Sequence, residues 1–158
     1  MKLVNAGKFI LVWGPVSQEG LEELKREGLP VLVPENRPFL LGLKHNIPLF
    51  KESNINFVYC TDNMLGLLFY KGKIKKTFLF YRESDEQALA GICGSLYVAL
   101  LSKLHNVRVE ILNEAKVDLD RLDVDASSLE GKNFILQENK EEYIIENDYE
   151  LVEWGLLQ

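Results

Sequence analysis

The sequence predicts one α/β domain built in three layers around a mainly parallel sheet. Three observations carry this. Short, continuous apolar runs recur along the chain. Segments with helical spacing separate them. The connections are too short for anything but compact strand–helix–strand crossovers. A length of 158 residues bounds the chain to one domain (1–158), and 47% hydrophobic with 27% charged residues is ordinary globular composition.

Phe9–Trp13 (FILVW) is the first strand, apolar at every position and closed by Gly14-Pro15, as a strand covered on both faces would be. Ser17 caps a helix whose apolar positions are Leu21 and Leu24; Gly28 stops it and Pro30 follows. Val31–Val33 is the second strand. Pro38 suits a first helical turn, so a helix is expected from about Pro38 to Ser53, irregular at Pro48. Phe57–Thr61 is the third strand, and Asp62 or Asn63 caps a helix that ends at Lys71-Gly72. Lys76–Tyr81 is the fourth strand. Ser84-Asp85-Glu86-Gln87 fits a capping box for a helix running to about His105, apolar nearly all round and rich in small residues. Val107–Leu112 is the fifth strand. Residues 113–131 are polar and the least certain part of the pattern. Asn133–Gln137 and Tyr143–Ile145 read as short strands, and Tyr149–Leu157 has helical spacing.

The net charge of −6 argues against nonspecific nucleic-acid binding, which needs a basic surface. The longest uncharged run, Ala88–Ser102, is too short to cross a bilayer, so no membrane association is expected. The two cysteines, Cys60 and Cys93, lack metal-ligand spacing and read as free thiols of a cytoplasmic protein. No glycine-rich nucleotide fingerprint or P-loop follows the first strand. Asp118, Asp120, Asp123 and Asp125 fail as a calcium loop, because Asp123 stands where glycine is needed and Leu129 at the twelfth position. His45 and His105 have neither metal nor triad spacing. No cofactor and no metal are expected.

In such a sheet ligands bind at the carboxyl ends of the strands. The candidate site loops are therefore Gly14–Gln18, Pro34–Pro38, Thr61–Met64, Tyr81–Gln87 and Asn113–Val117. Along the chain come the segments Glu35-Asn36-Arg37-Pro38 with Gly42, then Thr61-Asp62-Asn63-Met64 with Gly66, the lead Gly72-Lys73-Ile74-Lys75 into the fourth strand, and the helix segment Ala90-Gly91-Ile92-Cys93-Gly94-Ser95. In this order and spacing they resemble the carboxyl-terminal Rossmann-like domain of one family. Its members are the initiation factor 2B α/β/δ subunits and the methylthioribose-1-phosphate and ribose-1,5-bisphosphate isomerases. The resemblance covers roughly 8–112, without the family's amino-terminal helical domain, and so implies a stand-alone domain.

The departures point away from catalysis. The family's catalytic cysteine would fall in Trp13–Ser17, which has none. Its catalytic aspartate is replaced within Phe80–Glu83, with Arg82 at or next to that position. Its phosphate-binding Asn-Lys pair becomes Gly91-Ile92. Isomerisation of a sugar phosphate needs an acid/base group and a cation, and Gly91 and Ile92 offer neither.

The expected function is therefore an inactive domain with this fold that binds a small phosphorylated metabolite or a protein partner. Glu35, Arg37, Asp62, Asn63 and Arg82 are the candidate ligand-binding residues. Four of them have a plainer role: Glu35 and Arg37 as an ion pair or a cap of the following turn, Asp62 and Asn63 as a helix cap. The alternative is an isomerase with a rearranged site, in which Glu83 or Asp85 is the acid/base and Arg37 or Arg82 holds phosphate. The resemblance also implies a homodimer, with Leu40–Phe50 or Leu151–Leu157 as the apolar patch. A role in translation does not follow from fold alone.

Overall fold

A computed structural model describes residues 7–118, 134–138, 141–145 and 148–158. The acidic stretch beyond Asp118 that was tested as a calcium loop lies outside them. The elements are β1 (Phe9–Trp13), α1 (Gln18–Glu27), β2 (Val31–Pro34), a π-helical turn (Gly42–Asn46), α2 (Ile47–Glu52), β3 (Phe57–Cys60), a 3-10 turn (Asp62–Met64), α3 (Leu65–Tyr70), β4 (Ile74–Ser84), β5 (Ala88–Ile92), α4 (Ser95–Leu104), β6 (Arg108–Asn113), β7 (Phe134–Glu138), β8 (Glu141–Ile145) and β9 (Tyr149–Glu153).

Seven strands form one mixed sheet in the order β3-β2-β1-β4-β5-β9, with β6 also paired to β4, while β7 and β8 form a separate antiparallel pair. The pairs β3–β2, β2–β1, β1–β4 and β4–β6 are parallel. The run FILVW is apolar throughout because it feeds two cores. Phe9, Leu11 and Trp13 pack with Leu65, Leu68 and Phe69 of α3 and Val98 and Ala99 of α4. Ile10 and Val12 pack with Leu21 and Leu24 of α1 and Phe50 of α2. The three-layer α/β expectation stands.

β4 is the long element of the sheet. Ile74–Leu79 lie beside β1 and Lys76–Tyr81 beside β6. Its far end instead turns into an antiparallel hairpin with β5, and β5 in turn pairs with β9. The helix expected over 84–105 is thus split: Ala88–Ile92 is a strand, and only Ser95–Leu104 is helical. A run buried on every side does not separate a core helix from a core strand. Asp85 caps no helix; its carboxylate accepts from the Gln87 and Ala88 amides and fixes the hairpin turn. The small residues have a local reason. Gly94, at φ +90, lies against the Trp13 ring, where a side chain would collide.

The expected C-terminal helix is also replaced, by β9 and a 3-10 turn at Trp154–Leu156. The expected helix from Pro38 begins only after a turn that contains a cis Arg37–Pro38 peptide and Leu40 at positive φ. Pro48 then sits in the first turn of α2, where its missing N–H is harmless. That segment is not an exposed strip either: Leu40, Leu41 and Phe50 are buried, and only Leu43 among its large apolar residues is exposed.

Candidate functional site

The carboxyl ends of β1, β2 and β3 are tied by side chains that leave little backbone free. Gly14, at φ +95, donates its N–H to Asn36 Oδ1 (3.0 Å). Its carbonyl accepts from Asn46 Nδ2 (3.0 Å), and Asn46 Oδ1 accepts from the Val16 N–H (2.9 Å). Both asparagines are fully buried. The β1–α1 loop is thus held rigid by residues 22 to 32 positions downstream.

The structure brings Glu35, Arg37 and Asp62 together. Arg37 Nε donates to Glu35 Oε2 (3.2 Å). The Asp62 carboxylate accepts from the Asn36 N–H (2.8 Å) and the Arg37 N–H (2.9 Å). Asp62 therefore caps the loop after β2; neither it nor Asn63 caps a helix, since no side chain bonds the start of the 3-10 turn or of α3. Asn63 is exposed beside it. Tyr59 reaches Glu35 across 3.4 Å.

Burial pushes the Asp62 carboxyl above its usual range, against the pull of the two amides, with Glu35 adding repulsion. The sign is fixed by linkage: a raised folded-state value means stability present at low pH and lost as pH rises. Against Asp62→Asn, which does not titrate, the wild type is expected to lose relative stability as pH climbs from about 4 through the raised value. Urea midpoints at acid and neutral pH measure this; a relative gain with rising pH would show that the amides outweigh burial.

Both thiols are pushed away from the thiolate form. Burial first, then Asp62 and Glu35, pushes Cys60 up to about 12. Burial, then Glu150, pushes Cys93 up to about 11.

Arg82 stands in a second cluster. Tyr81 pairs with Gly91 and Glu83 with Ala90, so Arg82 is the extra residue of a β-bulge, a device that re-aims side chains. Its Nε donates to Glu114 Oε1 (2.9 Å), and its guanidinium lies 4.1 Å over the Tyr149 ring. Tyr149 donates its hydroxyl to the same Glu114 oxygen (2.8 Å). Burial and Glu114 together raise the Tyr149 phenol. The Glu114 side chain is only 6% exposed, and its Oε2 has no partner among the described residues. Tyr81, Arg82, Asn113, Glu114, Lys116, Val117 and Asp118 line an open groove of about 690 Å³. Glu83 and Asp85 are exposed along the hairpin. With its carboxylate held by two backbone amides, Asp85 is kept below the usual carboxylate range and stays ionised.

Sequence reasoning missed Asn46 and Tyr149; Glu114 falls in the Asn113–Val117 loop expected at the strand ends, with no role of its own assigned. Asn46 sits among apolar neighbours with no motif around it. Tyr149 was placed on a helix, which hid its approach to Arg82.

By sequence the chain matches no family model and no curated protein. Its fold does match solved structures. Translation initiation factor eIF-2B subunit delta from A. fulgidus superposes with a TM-score of 0.69 at 16% identity, over 99% of this chain and 52% of that one. The chain has the eIF-2B fold. Translation initiation factor eIF-2B from Pyrococcus horikoshii OT3 gives 0.63 at 15% identity, over 99% and 57% of the two chains. The 5-methylthioribose 1-phosphate isomerase of the same organism gives 0.60 at 14%, over 68% and 36%. The chain spans only about a third to somewhat over half of the length of these structures. Among the described residues, no helix is long and apolar enough to cross a membrane.

Proposed function

We propose that this eIF-2B-type domain binds a small phosphorylated metabolite without catalysing its isomerisation. The observation that carries the reading is the groove at the carboxyl ends of β4 and β6. Arg82 and Lys116 supply positive charge for a phosphate, and Arg82 offers Glu114 only Nε of its five donors. The Glu114 carboxylate, mostly buried beneath the groove, anchors the Arg82 side chain at its rim. Glu35, Arg37 and Asp62 bond one another and the backbone, which favours Arg82 as the primary anion partner. Two candidate carboxylates are already engaged, Glu114 by Arg82 and Tyr149 and Asp85 by the hairpin turn, which supports the non-catalytic reading. We also propose that the chain pairs with a second copy; the matched A. fulgidus protein is itself named as a subunit.

Thermal shift against a panel of sugar phosphates tests the ligand. At about 100 times its dissociation constant a ligand adds roughly 2.7 kcal/mol, on the order of 5–10 °C for a chain of this length. Arg82→Ala is expected to abolish the shift. A shift that survives Arg82→Ala would place the site elsewhere. Turnover of methylthioribose 1-phosphate or ribose 1,5-bisphosphate would overturn the non-catalytic reading.

A further inference from the structure

We infer that the end of the domain opposite the groove binds an extended acidic segment of a protein partner. This surface lies at the amino ends of β1, β4 and β6 and the carboxyl ends of α3 and α4. It is independent of the ligand and of the pairing proposed above.

Five exposed cations meet there: Lys8, Lys71, Lys75, Lys103 and Arg108. Backbone geometry gathers them. The Phe9 N–H donates to the Lys73 carbonyl (2.8 Å), which sets Lys8 beside the turn that carries Lys71. Ile74 and Lys76 pair with the consecutive residues Phe9 and Ile10, so Lys75 is the extra residue of a β-bulge. Arg108 lies opposite Lys76 on β6. The Phe69 and His105 rings stack at 5.9 Å and bring the end of α3 to the end of α4. Lys103 is steadied there by the Gly155 carbonyl, to which its Nζ donates (2.6 Å).

None of the five forms an ion pair among the described residues. Glu27 and Glu110 both bond Lys76 instead. Helix dipoles account for Lys71 and Lys103, at the carboxyl ends of α3 and α4. They do not account for Lys8, Lys75 and Arg108, which stand at strand starts, where the backbone carries little net dipole. The chain has a net charge of −6, yet it gathers mutually repelling cations at one end. An anionic partner relieves that repulsion.

The surroundings of the cations select the kind of anion. Tyr70 and Leu104, each 73% exposed, stand among them, and Lys71 Nζ lies 5.4 Å from the centre of the Tyr70 ring. A leucine offers nothing to a phosphate backbone, whereas a peptide brings side chains that can cover it. Tyr70 is the single exposed aromatic ring at this end among the described residues, and a nucleic-acid strand stacks on several. The adjacent layer is mixed in charge: Lys25 pairs with Glu22, Arg26 with Glu23, and Glu52 is exposed at the end of α2. The basic surface is therefore a narrow strip. A flat anionic bilayer laid on it would also meet those carboxylates, and a single extended chain need not.

Fluorescence anisotropy with the full chain tests this, using a short labelled peptide of glutamates that carries two leucines. The peptide is expected to bind, roughly tenfold or more weakly at about 0.5 M salt than at about 0.05 M. Lys71→Glu with Lys103→Glu is expected to weaken it roughly tenfold or more, and so is Lys75→Glu with Arg108→Glu. Leu104→Ser is expected to weaken it by a factor that salt does not change. The same peptide with serine for glutamate is expected not to bind. Should a charge reversal unfold the chain, the serine peptide and the salt series on the wild type still decide. Absence of binding at low salt would overturn the proposal, and so would binding that survives both charge reversals or that is shared by the serine peptide. Tighter binding of oligouridylate, or of phosphatidylserine vesicles, than of the peptide would overturn it in favour of a nucleic acid or a membrane.

Discussion

Gly42→Ala is expected to lower stability by at least about 3 kcal/mol, the upper end of what overpacking costs. A Cβ at Gly42 would collide with the Pro34 carbonyl oxygen and stand 2.9 Å from the Pro34 carbonyl carbon and 3.3 Å from that of Glu35. Those atoms are backbone, so no rotamer change relieves the collision. The Gly42 N–H also donates to the Glu35 carbonyl (3.1 Å), which holds the turn against the end of β2. The substitution must therefore displace either β2, inside the sheet, or the turn that carries Asn46. For a chain of this length the melting temperature should fall by on the order of 10 °C. A loss below about 1 kcal/mol would show that the turn can slide away from Pro34 at little cost.

Asn46→Ala is expected to cost about 3 kcal/mol by a different route. It would leave the Gly14 carbonyl and the Val16 N–H without their partners in a fully buried setting. Each buried backbone group left unpaired costs about 1–3 kcal/mol. Asn46→Asp is the sharper control. Its carboxylate can still accept from Val16 but cannot donate to Gly14, and it sets two oxygens together. Equilibrium urea unfolding should place it at or below the alanine variant. An aspartate variant as stable as wild type would mean that the Gly14 carbonyl finds another donor.

These two residues also show where the sequence was legible and where it was not. The parallel strands were legible because each is a short apolar run, three of them closed by Gly14, Pro34 or Asn113, and because α1 has a serine cap and a Gly28 stop. Gly42 was legible as a motif position, though its reason is a three-dimensional approach to Pro34. Asn46 was not legible, since nothing local distinguishes a buried clamp from a helix-surface asparagine. The β4–β5 hairpin was misread for a physical reason: Ala88–Ile92 is covered on all sides, so its pattern has no period. The error carried into the site. With a helix start expected at Ser84, the bulge that turns Arg82 toward Glu114 and Tyr149 had no place in the pattern. Glu35, Arg37 and Asp62 lie together at the strand ends; the Glu35–Arg37 ion pair was legible, but the Asp62 bonds to the Asn36 and Arg37 amides are not something sequence spacing reveals.

The strand that covers the β5 edge of the sheet is made well after the elements it joins. β9 covers the free edge of β5, Glu150 satisfies the start of α4, and the Trp154 indole N–H donates to the Asp85 carbonyl (2.9 Å) across the hairpin. On the ribosome, some 50 residues separate α4 from its own cap. Until that segment emerges, β5 presents an unpaired edge of the kind that recruits foreign strands. At roughly 5–20 residues per second, this interval lasts several seconds. The nascent chain is exposed to aggregation for that time, and this edge closes only once β9 has been made.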